Sequence, residues 1–270
     1  MNQLKLYKNE IFSCLALVFL SFALCLIMPF NLGTFVYNGN LDSTVKGWGF
    51  EKNIGTFPRI PEKIATSIGE NNAIWRGSEK EKVMYLTFDS GYEAGYTPKI
   101  LDTLKAEKVP ATFFIVGHYI DENPDLVKRM VKEGHIIGNH TNSHRSMAKS
   151  SDSRVSADIT KLNDKYKLVT GSKQNMKYLR PPEGQYSNRS LFLTKELGYK
   201  TVFWSIAYVD WLKNNQPAPV NAIRTVSKQF HNGAIILLHS TSKTNSEILD
   251  KLIKTAKAQG YTFKSLDEFK

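Results

Sequence analysis

The sequence predicts an α/β domain built on a parallel sheet of about seven strands and preceded by one transmembrane helix. Short apolar runs rich in β-branched and aromatic residues recur from Val83 onwards. Helical segments with recognisable ends separate most of these runs, and such alternation predicts right-handed crossovers between parallel strands. A long uncharged apolar stretch, residues 11–30, stands near the amino terminus.

The amino-terminal apolar stretch predicts a membrane anchor. At helical rise its length matches the hydrocarbon layer of a bilayer, roughly 30 Å. Lys5 and Lys8 precede the stretch, and the next basic residue after it is Lys46. This bias predicts a cytoplasmic segment at residues 1–10 and a single-pass signal anchor at residues 11–30, with everything beyond outside the cell membrane. Because no small-x-small cleavage site follows, we favour an uncleaved anchor over a removed signal peptide.

Residues 31–82 predict an extracytoplasmic linker and a flanking helix. The part up to Gly49 is polar and Gly-rich, whereas the stretch from Ile60 to about Trp75 is amphipathic. We expect that helix to pack on the outside of the main domain, and we find no group for chemistry in this segment.

The charge and cysteine content of the chain limit the kinds of molecule it could bind and the kinds of site it could contain. The 270-residue chain has a net charge of +11, with Lys residues scattered and no dense basic block. This pattern disfavours nucleic acid and suits an anionic membrane surface or cell-wall polymer. The two cysteines, Cys14 and Cys25, both lie in the anchor. Their position excludes a disulfide, a thiolate metal site and a cysteine nucleophile from the rest of the chain.

The strands and helices after the linker follow from local signals. The predicted strands are Val83–Phe88, Thr112–Val116, Ile136–His140, Tyr178–Arg180, Thr201–Ser205, Ala234–His239 and Tyr261–Lys264. Helices are predicted to begin at Thr97-Pro98, Asn123-Pro124, Ser187, Pro219 and Thr244, from capping and early-proline signals, most of them with a glycine at the far end. No Gly-x-Gly-x-x-Gly follows the first strand, which disfavours a dinucleotide-binding fold. An irregular barrel and an open doubly wound sheet both remain.

Polar side chains follow the carboxyl ends of these strands. They are Asp89-Ser90, the run from His140 to His144, Arg180 to Gly184, Asp210-Trp211 and His239-Ser240. Because the carboxyl ends of parallel strands lie on one face of a domain, we expect these groups to meet in space.

His140 and His144 are candidate metal ligands. Three residues separate them, so both imidazoles reach one cation if the chain turns helically after the strand. Such pairs also occur as capping or surface histidines. Only nitrogen and oxygen ligands are available, which allows zinc, cobalt, nickel, manganese or iron. Of these divalent metals we expect zinc first.

Four other residues are candidates for acid–base chemistry. Asp89 is either a base at the mouth of the sheet or a helix cap. Arg180 could pair with Asp89 and keep it ionised, or be an ordinary surface arginine. His239 is either a buried core histidine or, beside Asp210, an imidazolium that donates a proton.

Two aromatic residues near these groups are candidates for substrate binding. Tyr186 and Trp211 could form walls of a groove for a sugar ring, although such side chains are as often part of the packing.

Five ordered motifs resemble those of the polysaccharide deacetylase (NodB homology) family. They are Thr87–Gly91, His140-x-x-x-His144, Arg180-Pro-Pro-x-Gly184, Asp210-Trp211 and Leu238-His239. The resemblance spans roughly residues 83–265 and implies a deformed (β/α) barrel and a metal-dependent hydrolase that removes acetyl groups from glycans.

Finer features resemble one branch of that family, the N-acetylmuramic acid deacetylases that prepare muramic δ-lactam in spore cortex peptidoglycan. They are Thr-Phe-Asp-x-Gly-Tyr-Glu at 87–93, Gly-His-Ile-Ile-Gly-Asn-His at 134–140, Arg-Pro-Pro-Glu-Gly at 180–184, Val-Asp-Trp at 209–211 and His-Ser-Thr-Ser-Lys at 239–243. The resemblance implies peptidoglycan glycan strands as the partner and N-acetylmuramic acid as the substrate.

The resemblance also implies a role for each site residue. Asp89 would be the base, His140 and His144 metal ligands, and His239 the acid. Arg180 would tune Asp89, Asp210 would orient His239, and backbone N–H groups of Pro181–Tyr186 would help to hold the oxyanion. Most of the family has a second Asp after the base, as a metal ligand, where this chain has Ser90. The branch named above shares this departure, which bears on the affinity and identity of the metal.

Three rival hypotheses remain at this stage. The same fold could act on chitin oligomers, on N-acetylglucosamine of peptidoglycan or on acetylated xylan. With Ser90 at a ligand position, the domain could instead bind glycan without turning it over. A glycosidase would use Asp89 with Glu93 or Asp210 as a carboxylate pair.

Overall fold

The computed structural model describes residues 41–51 and 57–270. The predicted cytoplasmic segment and signal anchor lie outside these residues. Within the described ranges, no helix has both the length and the apolar character that crossing a bilayer requires.

The described chain alternates strands with helices. Its strands are β1 (Lys46–Gly47), β2 (Val83–Ser90), β3 (Ala111–Ile115), β4 (Ile136–Asn139), β5 (Tyr178–Leu179), β6 (Gln185–Tyr186), β7 (Lys200–Thr201), β8 (Ala234–His239) and β9 (Thr262–Phe263). Its α-helices are α1 (Glu62–Glu70), α2 (Thr97–Glu107), α3 (Gly117–Glu122), α4 (Pro124–Lys132), α5 (Asp152–Thr170), α6 (Asn188–Glu196), α7 (Pro219–Ser227) and α8 (Lys243–Ala258).

The main sheet has seven parallel strands, in agreement with the sequence prediction. Its order is β7-β5-β4-β3-β2-β8, and β9 pairs with β2. The sheet is curled: after β7, the N–H groups of Ser205 and Ile206 donate to Ile235 O of β8, at 2.9 and 3.1 Å. The chain beyond one end of the strand order therefore reaches the other end. This geometry supports the deformed barrel over the open doubly wound sheet.

The two faces of the sheet bury different sets of side chains. All eight residues of β2 are buried, as expected for a parallel strand covered on both faces. Met84, Leu86 and Phe88 pack with the helices in the larger core cluster. The alternate residues Val83 and Tyr85 belong to a smaller interior cluster with Phe114, Tyr178, Val202, Ile235 and Leu266. Asp89 continues this second series, so its side chain lies on the inner face.

The five predicted helices of the main domain all begin within one residue of their predicted starts. Helices α3 and α5 were not predicted. Helix α5 buries only Val155, Ile159, Leu162 and Asn163 along its 19 residues, so its sequence is too polar to show an apolar face. The predicted flanking helix is α1, which contributes Ile64 and Ile68 to a third cluster.

Residues 41–51 differ from the expected linker. β1 pairs antiparallel with β6, with Lys46 opposite Tyr186 and Gly47 opposite Gln185. Trp48 packs in the third cluster beside Phe203 and Tyr186. This large aromatic side chain gives an otherwise polar, Gly-rich segment enough apolar surface to remain on the domain.

Candidate active site

Asp89 and Arg180 form a buried ion pair at the carboxyl edge of the sheet. Arg180 Nη1 donates to Asp89 Oδ1 at 2.7 Å. The rest of the guanidinium donates to Val202 O at 3.1 Å and Thr87 Oγ1 at 2.9 Å, and it lies 4.2 Å from the centre of the Phe114 ring. Arg180 has no exposed surface, so it is not an ordinary surface arginine.

This pair keeps Asp89 ionised. Burial alone would raise the pKa of the Asp89 carboxyl, but the charge of Arg180, assisted by His140 and His239, lowers that pKa below its ordinary value. An ionised carboxylate at the mouth of a cavity can accept a proton, which is the chemistry expected of a base.

His140 follows β4 and lies against the ion pair. Its Nδ1 is 2.8 Å from Arg180 O, and its Nε2 is 3.5 Å from Asp89 Oδ2. Burial lowers the pKa of His140 to about 4, although Asp89 opposes the shift. The ring is therefore neutral near pH 7. Since a carbonyl oxygen can only accept, Nδ1 carries the proton and Nε2 presents a lone pair.

His144 lies beside His140, as expected. The turn between them is not helical, however, which differs from the prediction. The ring centroids are 4.8 Å apart and the planes meet at 69°. Thr141 and His144 have φ of 63° and 56°. Thr141 N–H donates to Asn139 Oδ1 at 2.9 Å, and His144 N–H donates to Thr141 Oγ1 at 3.0 Å. These bonds stabilise two left-handed residues and bring the imidazoles together.

The two imidazoles are suitable ligands for a divalent transition metal. In the part of the chain that the structure describes, no three His, Cys, Asp or Glu side chains form a group that could hold a metal ion. A neutral imidazole nitrogen suits zinc and its neighbours, and water or substrate would have to supply the other positions. Ser90 is fully buried, and its Oγ accepts a 2.8 Å hydrogen bond from Ser240. Because successive side chains of a strand point to opposite faces of the sheet, Ser90 lies on the other face of β2 from Asp89.

His239 and Asp210 form a second charged pair. His239 ends β8 directly beside Asp89 in the strand register. Its Nδ1 lies 2.7 Å from Asp210 Oδ1, and its backbone N–H donates to Asp210 Oδ2 at 2.8 Å. Burial alone would lower the pKa of His239, but the bond to Asp210 and the charges of Asp210 and Asp89 raise it. The pairing with Asp210 therefore favours the imidazolium form of His239, which can donate a proton.

Asn245 fixes the position of Asp210, a contact that the sequence did not predict. Its Nδ2 donates to Asp210 Oδ2 at 2.5 Å and to His239 O at 3.0 Å. Tyr208 donates to Asn245 Oδ1. Asn245 is fully buried in the first turn of α8. An Asn in a predicted helix gave no signal, because the contact depends on how the helix docks.

Asp89, His239 and the two imidazoles of His140 and His144 face a cavity of about 1000 Å³. Its walls include residues from the predicted strand ends, namely Asp89, His140, His144, Glu183, Gly184, Trp211 and His239. Tyr92, His118 and Trp204 also line it and were not predicted to lie there. Trp211 is 49% exposed, and its ring centroid lies 5.4 Å from that of His239. Its position is compatible with contact to a sugar ring.

Tyr186 does not lie in the cavity wall, which corrects the prediction of a substrate contact. It is 1% exposed and packs against Phe203, with ring centroids 5.2 Å apart. Trp204, in the predicted strand Thr201–Ser205, lines the cavity instead. The choice between the two aromatics depends on side-chain direction in short strands, which the sequence pattern does not determine.

The carboxylate pair of a glycosidase is not formed. Glu93 Oε1 accepts from Gly95 N–H at 2.6 Å and from Thr97 N–H at 3.2 Å. Its Oε2 accepts from Tyr119 OH at 3.1 Å. Glu93 therefore stabilises the loop before α2, and Asp210 is held by His239 and Asn245. Neither is placed as a partner for Asp89 across a scissile bond.

An ionised carboxylate and a histidine paired with a second carboxylate, on adjacent parallel strands beside two further imidazoles, suit a hydrolase with separate base and acid. The family model for polysaccharide deacetylase matches residues 76–202. The chain is 46% identical over 222 residues to peptidoglycan-N-acetylmuramic acid deacetylase PdaA of Bacillus subtilis, covering 82% of this chain and 84% of that protein. The chain belongs to the polysaccharide deacetylase family and is a hydrolase that acts on acetyl groups.

Two further comparisons support membership of the same family. The solved structure of Bacillus subtilis PdaA, a family 4 carbohydrate esterase, matches with a TM-score of 0.81 and 44% identity, over 84% of this chain and 97% of that one. A peptidoglycan-N-acetylglucosamine deacetylase of Bacillus cereus is 38% identical over 200 residues, covering 72% of this chain and 91% of that protein. The family relationship confirms the predicted NodB-type α/β domain and the class of enzyme, whereas the predicted transmembrane helix stays a prediction. The roles of individual site residues stay predictions.

Proposed function

We propose that the protein is a metal-dependent peptidoglycan deacetylase that hydrolyses the N-acetyl group of N-acetylmuramic acid and releases acetate. The observation that carries this proposal is the pairing of an ionised Asp89 with a protonated His239 on one cavity wall. The 46% identity to a protein that acts on N-acetylmuramic acid supports the choice of sugar. Synthesis of muramic δ-lactam in spore cortex is the process implied by the resemblance.

Asp89 acts as the general base in this mechanism. It takes a proton from the water that attacks the acetamide carbonyl, and Arg180 keeps it ionised before the attack. A divalent cation held by His140 and His144, with zinc the first expectation, would supply Lewis-acid polarisation of that carbonyl when bound.

Backbone geometry selects one N–H of the Arg180–Gly184 loop for the developing oxyanion. Pro181 and Pro182 have no N–H, Gly184 N–H donates to Pro181 O at 3.1 Å, and Gln185 N–H donates to Pro182 O. We therefore assign the oxyanion contact to the N–H of Glu183, which lines the cavity.

His239 acts as the general acid. An amine anion is a very poor leaving group, so the C–N bond breaks only if the nitrogen is protonated as it departs. His239 gives its Nε2 proton to that nitrogen, while Asp210 holds Nδ1 and stabilises the imidazolium beforehand. Acetate and the free amine leave.

The proposed location is the cell membrane, and its support is the amino-terminal sequence. Residues 11–30 and the flanking Lys5 and Lys8 support a single-pass anchor with the catalytic domain outside the cytoplasmic membrane. That side of the membrane carries the proposed substrate.

A second candidate substrate is N-acetylglucosamine, because a relative with that activity is 38% identical. Mass spectrometry of peptidoglycan treated with the purified protein and added divalent metals separates the two. We expect the loss of one acetyl group from muramic acid in strands without stem peptides. Acetyl loss confined to glucosamine or chitooligomers would select the second substrate, and shortened strands without acetate release would overturn both.

A further inference from the structure

Residues 46–48 precede the matched family region and contact the residues that form one wall of the cavity. The matched family region begins at residue 76, whereas β1 lies at residues 46–47 and pairs with β6 directly after the Arg180–Gly184 loop. Trp48 follows β1 at once. Its contacts connect this segment to two residues of the cavity wall, Gly184 and Trp204.

Trp48 makes two hydrogen bonds to that wall. Its backbone N–H donates to Gly184 O at 2.8 Å, and its Nε1–H donates to Trp204 O at 2.9 Å. Its ring stacks on Phe203 with centroids 4.2 Å apart and planes 12° apart. Trp48 therefore contacts two separate wall segments, with its backbone N–H on Gly184 and its indole on the adjacent residues Phe203 and Trp204.

The loop that Trp48 contacts is strained. Glu183 has φ of 57° and Gly184 has φ of 64°, so two consecutive residues are left-handed, and Glu183 pays a steric cost for this. A Cβ at Gly184 would lie 2.8 Å from the Trp204 ring and 3.1 Å from Trp48 Cβ. Gly184 is thus confined between the Trp204 ring and the Cβ of Trp48, and the Trp48 indole acts on the loop through Trp204, whose carbonyl it binds.

We propose that Trp48 is a positioning residue for deacetylation, which holds the Glu183 N–H and the Trp204 wall in their places. The inference rests on the proposed function, because the Glu183 N–H is the donor assigned there to the oxyanion. It extends the active site to residues 41–51, which the sequence predicted to be a linker. Trp48 does not line the cavity, so it acts through the loop and not on substrate.

Three single variants of the full chain test this. Trp48→Phe keeps an aromatic ring on Phe203 but removes the Nε1–H donor, and Trp48→Ala removes both. Trp75→Phe is the matched control, because Trp75 packs on Trp48 and Phe50, with centroids 5.7 and 6.5 Å away, and does not line the cavity.

We expect kcat to fall about tenfold in Trp48→Phe and about 100-fold in Trp48→Ala, with KM nearly unchanged, because a displaced oxyanion donor weakens transition-state contacts. Trp75→Phe should keep its kcat. A normal kcat in folded Trp48→Ala, or an equal loss in Trp75→Phe, would overturn the proposal.

Hydrogen exchange gives a readout that does not depend on activity. Peptides that cover residues 180–186 should exchange faster in both Trp48 variants than in wild type or Trp75→Phe. Unchanged exchange there in Trp48→Ala would overturn the positioning role. If wild type released no acetate from any glycan, the proposed function would fail, while the exchange comparison would still decide whether Trp48 holds the loop.

Discussion

Arg180 donates a 2.7 Å hydrogen bond to Asp89 while both side chains are buried. The guanidinium also bonds Thr87 and Val202, so its charge is compensated and its donors are mostly satisfied. Such a pair adds little net stability over apolar residues, but removal of one partner leaves a buried charge alone. Stability does not account for the presence of this buried ion pair. Its role as a means of keeping Asp89 ionised for proton transfer does.

Replacement of Arg180 should destabilise the fold and remove activity. Arg180→Met leaves the Asp89 carboxylate uncompensated, and we expect the free energy of unfolding to fall by about 3–5 kcal/mol. Denaturant unfolding measures this. The double variant with Asp89→Asn should recover part of the loss, because it removes the isolated charge. Equal stability of Arg180→Met and wild type would contradict the ion-pair account.

Asp89→Asn should leave a folded protein with little activity. The amide is close in size to the carboxylate but cannot accept the proton of the attacking water, so acetate release should fall about 10²–10⁴-fold. The control is Asp102→Asn, in an exposed ion pair with Arg129, which should behave as wild type. Near-normal acetate release from Asp89→Asn would exclude it as the base.

Activity should be lost at alkaline pH as His239 loses its proton. The pKa of His239 is raised by Asp210, so the acid form persists to a higher pH than in an ordinary histidine. In Asp210→Asn the alkaline limb of kcat should move to lower pH. An unmoved limb would show that another group titrates.

The same shift affects stability. Because the folded pKa of His239 is above its unfolded value, its contribution is complete below the unfolded pKa and is lost as pH rises through the folded pKa. Unfolding free energies of wild type and His239→Gln should therefore converge on the alkaline side. A difference that grew with rising pH would contradict this sign.

Removal of metal should abolish acetate release, and added divalent cation should restore it. Elemental analysis should find bound metal in wild type and less in His140→Gln, since the Nε2 lone pair is the ligand expected there. Full activity in chelator-treated protein with no bound metal would contradict a metal-dependent mechanism.

Trp211→Ala should weaken substrate binding without a change in the chemistry. Loss of an exposed aromatic face at the cavity should raise KM about 3- to 10-fold at nearly constant kcat. Tyr186→Phe is the control, because the ring of Tyr186 is buried away from the cavity. A KM increase in the control but not in Trp211→Ala would reverse the two assignments.

The sequence was most informative where burial is complete. Strands β2, β3 and β8 read as short apolar runs because both of their faces are covered. Asp89 and His239 stand at the carboxyl ends of β2 and β8, and His140 follows β4 directly. The meeting of Asp89, His140 and His239 could be predicted from this rule alone. The contact between Arg180 and Asp89 could also be predicted, since both follow strands of one sheet.

The features that the sequence did not predict depend on how segments dock in the fold and on which way their side chains point. Trp48 stands in a polar, Gly-rich segment without hydrophobic periodicity. The sequence therefore gave no indication that this segment packs beside the Arg180–Gly184 loop. Tyr186 and Trp204 are both aromatic residues near strand ends, and only the fold shows that the second of them faces the cavity. Helix α5 was missed because its polar surface hides its few buried positions.

Asp89 and His239 occupy paired positions on β2 and β8. The spacing of proton acceptor and proton donor is consequently a property of the backbone ladder, with no hinge or lid between them. A slip of a single residue in the pairing would turn one of the two toward the helices. Substitutions around the rim of the cavity could therefore change which glycan binds. The distance between Asp89 and His239 would stay the same.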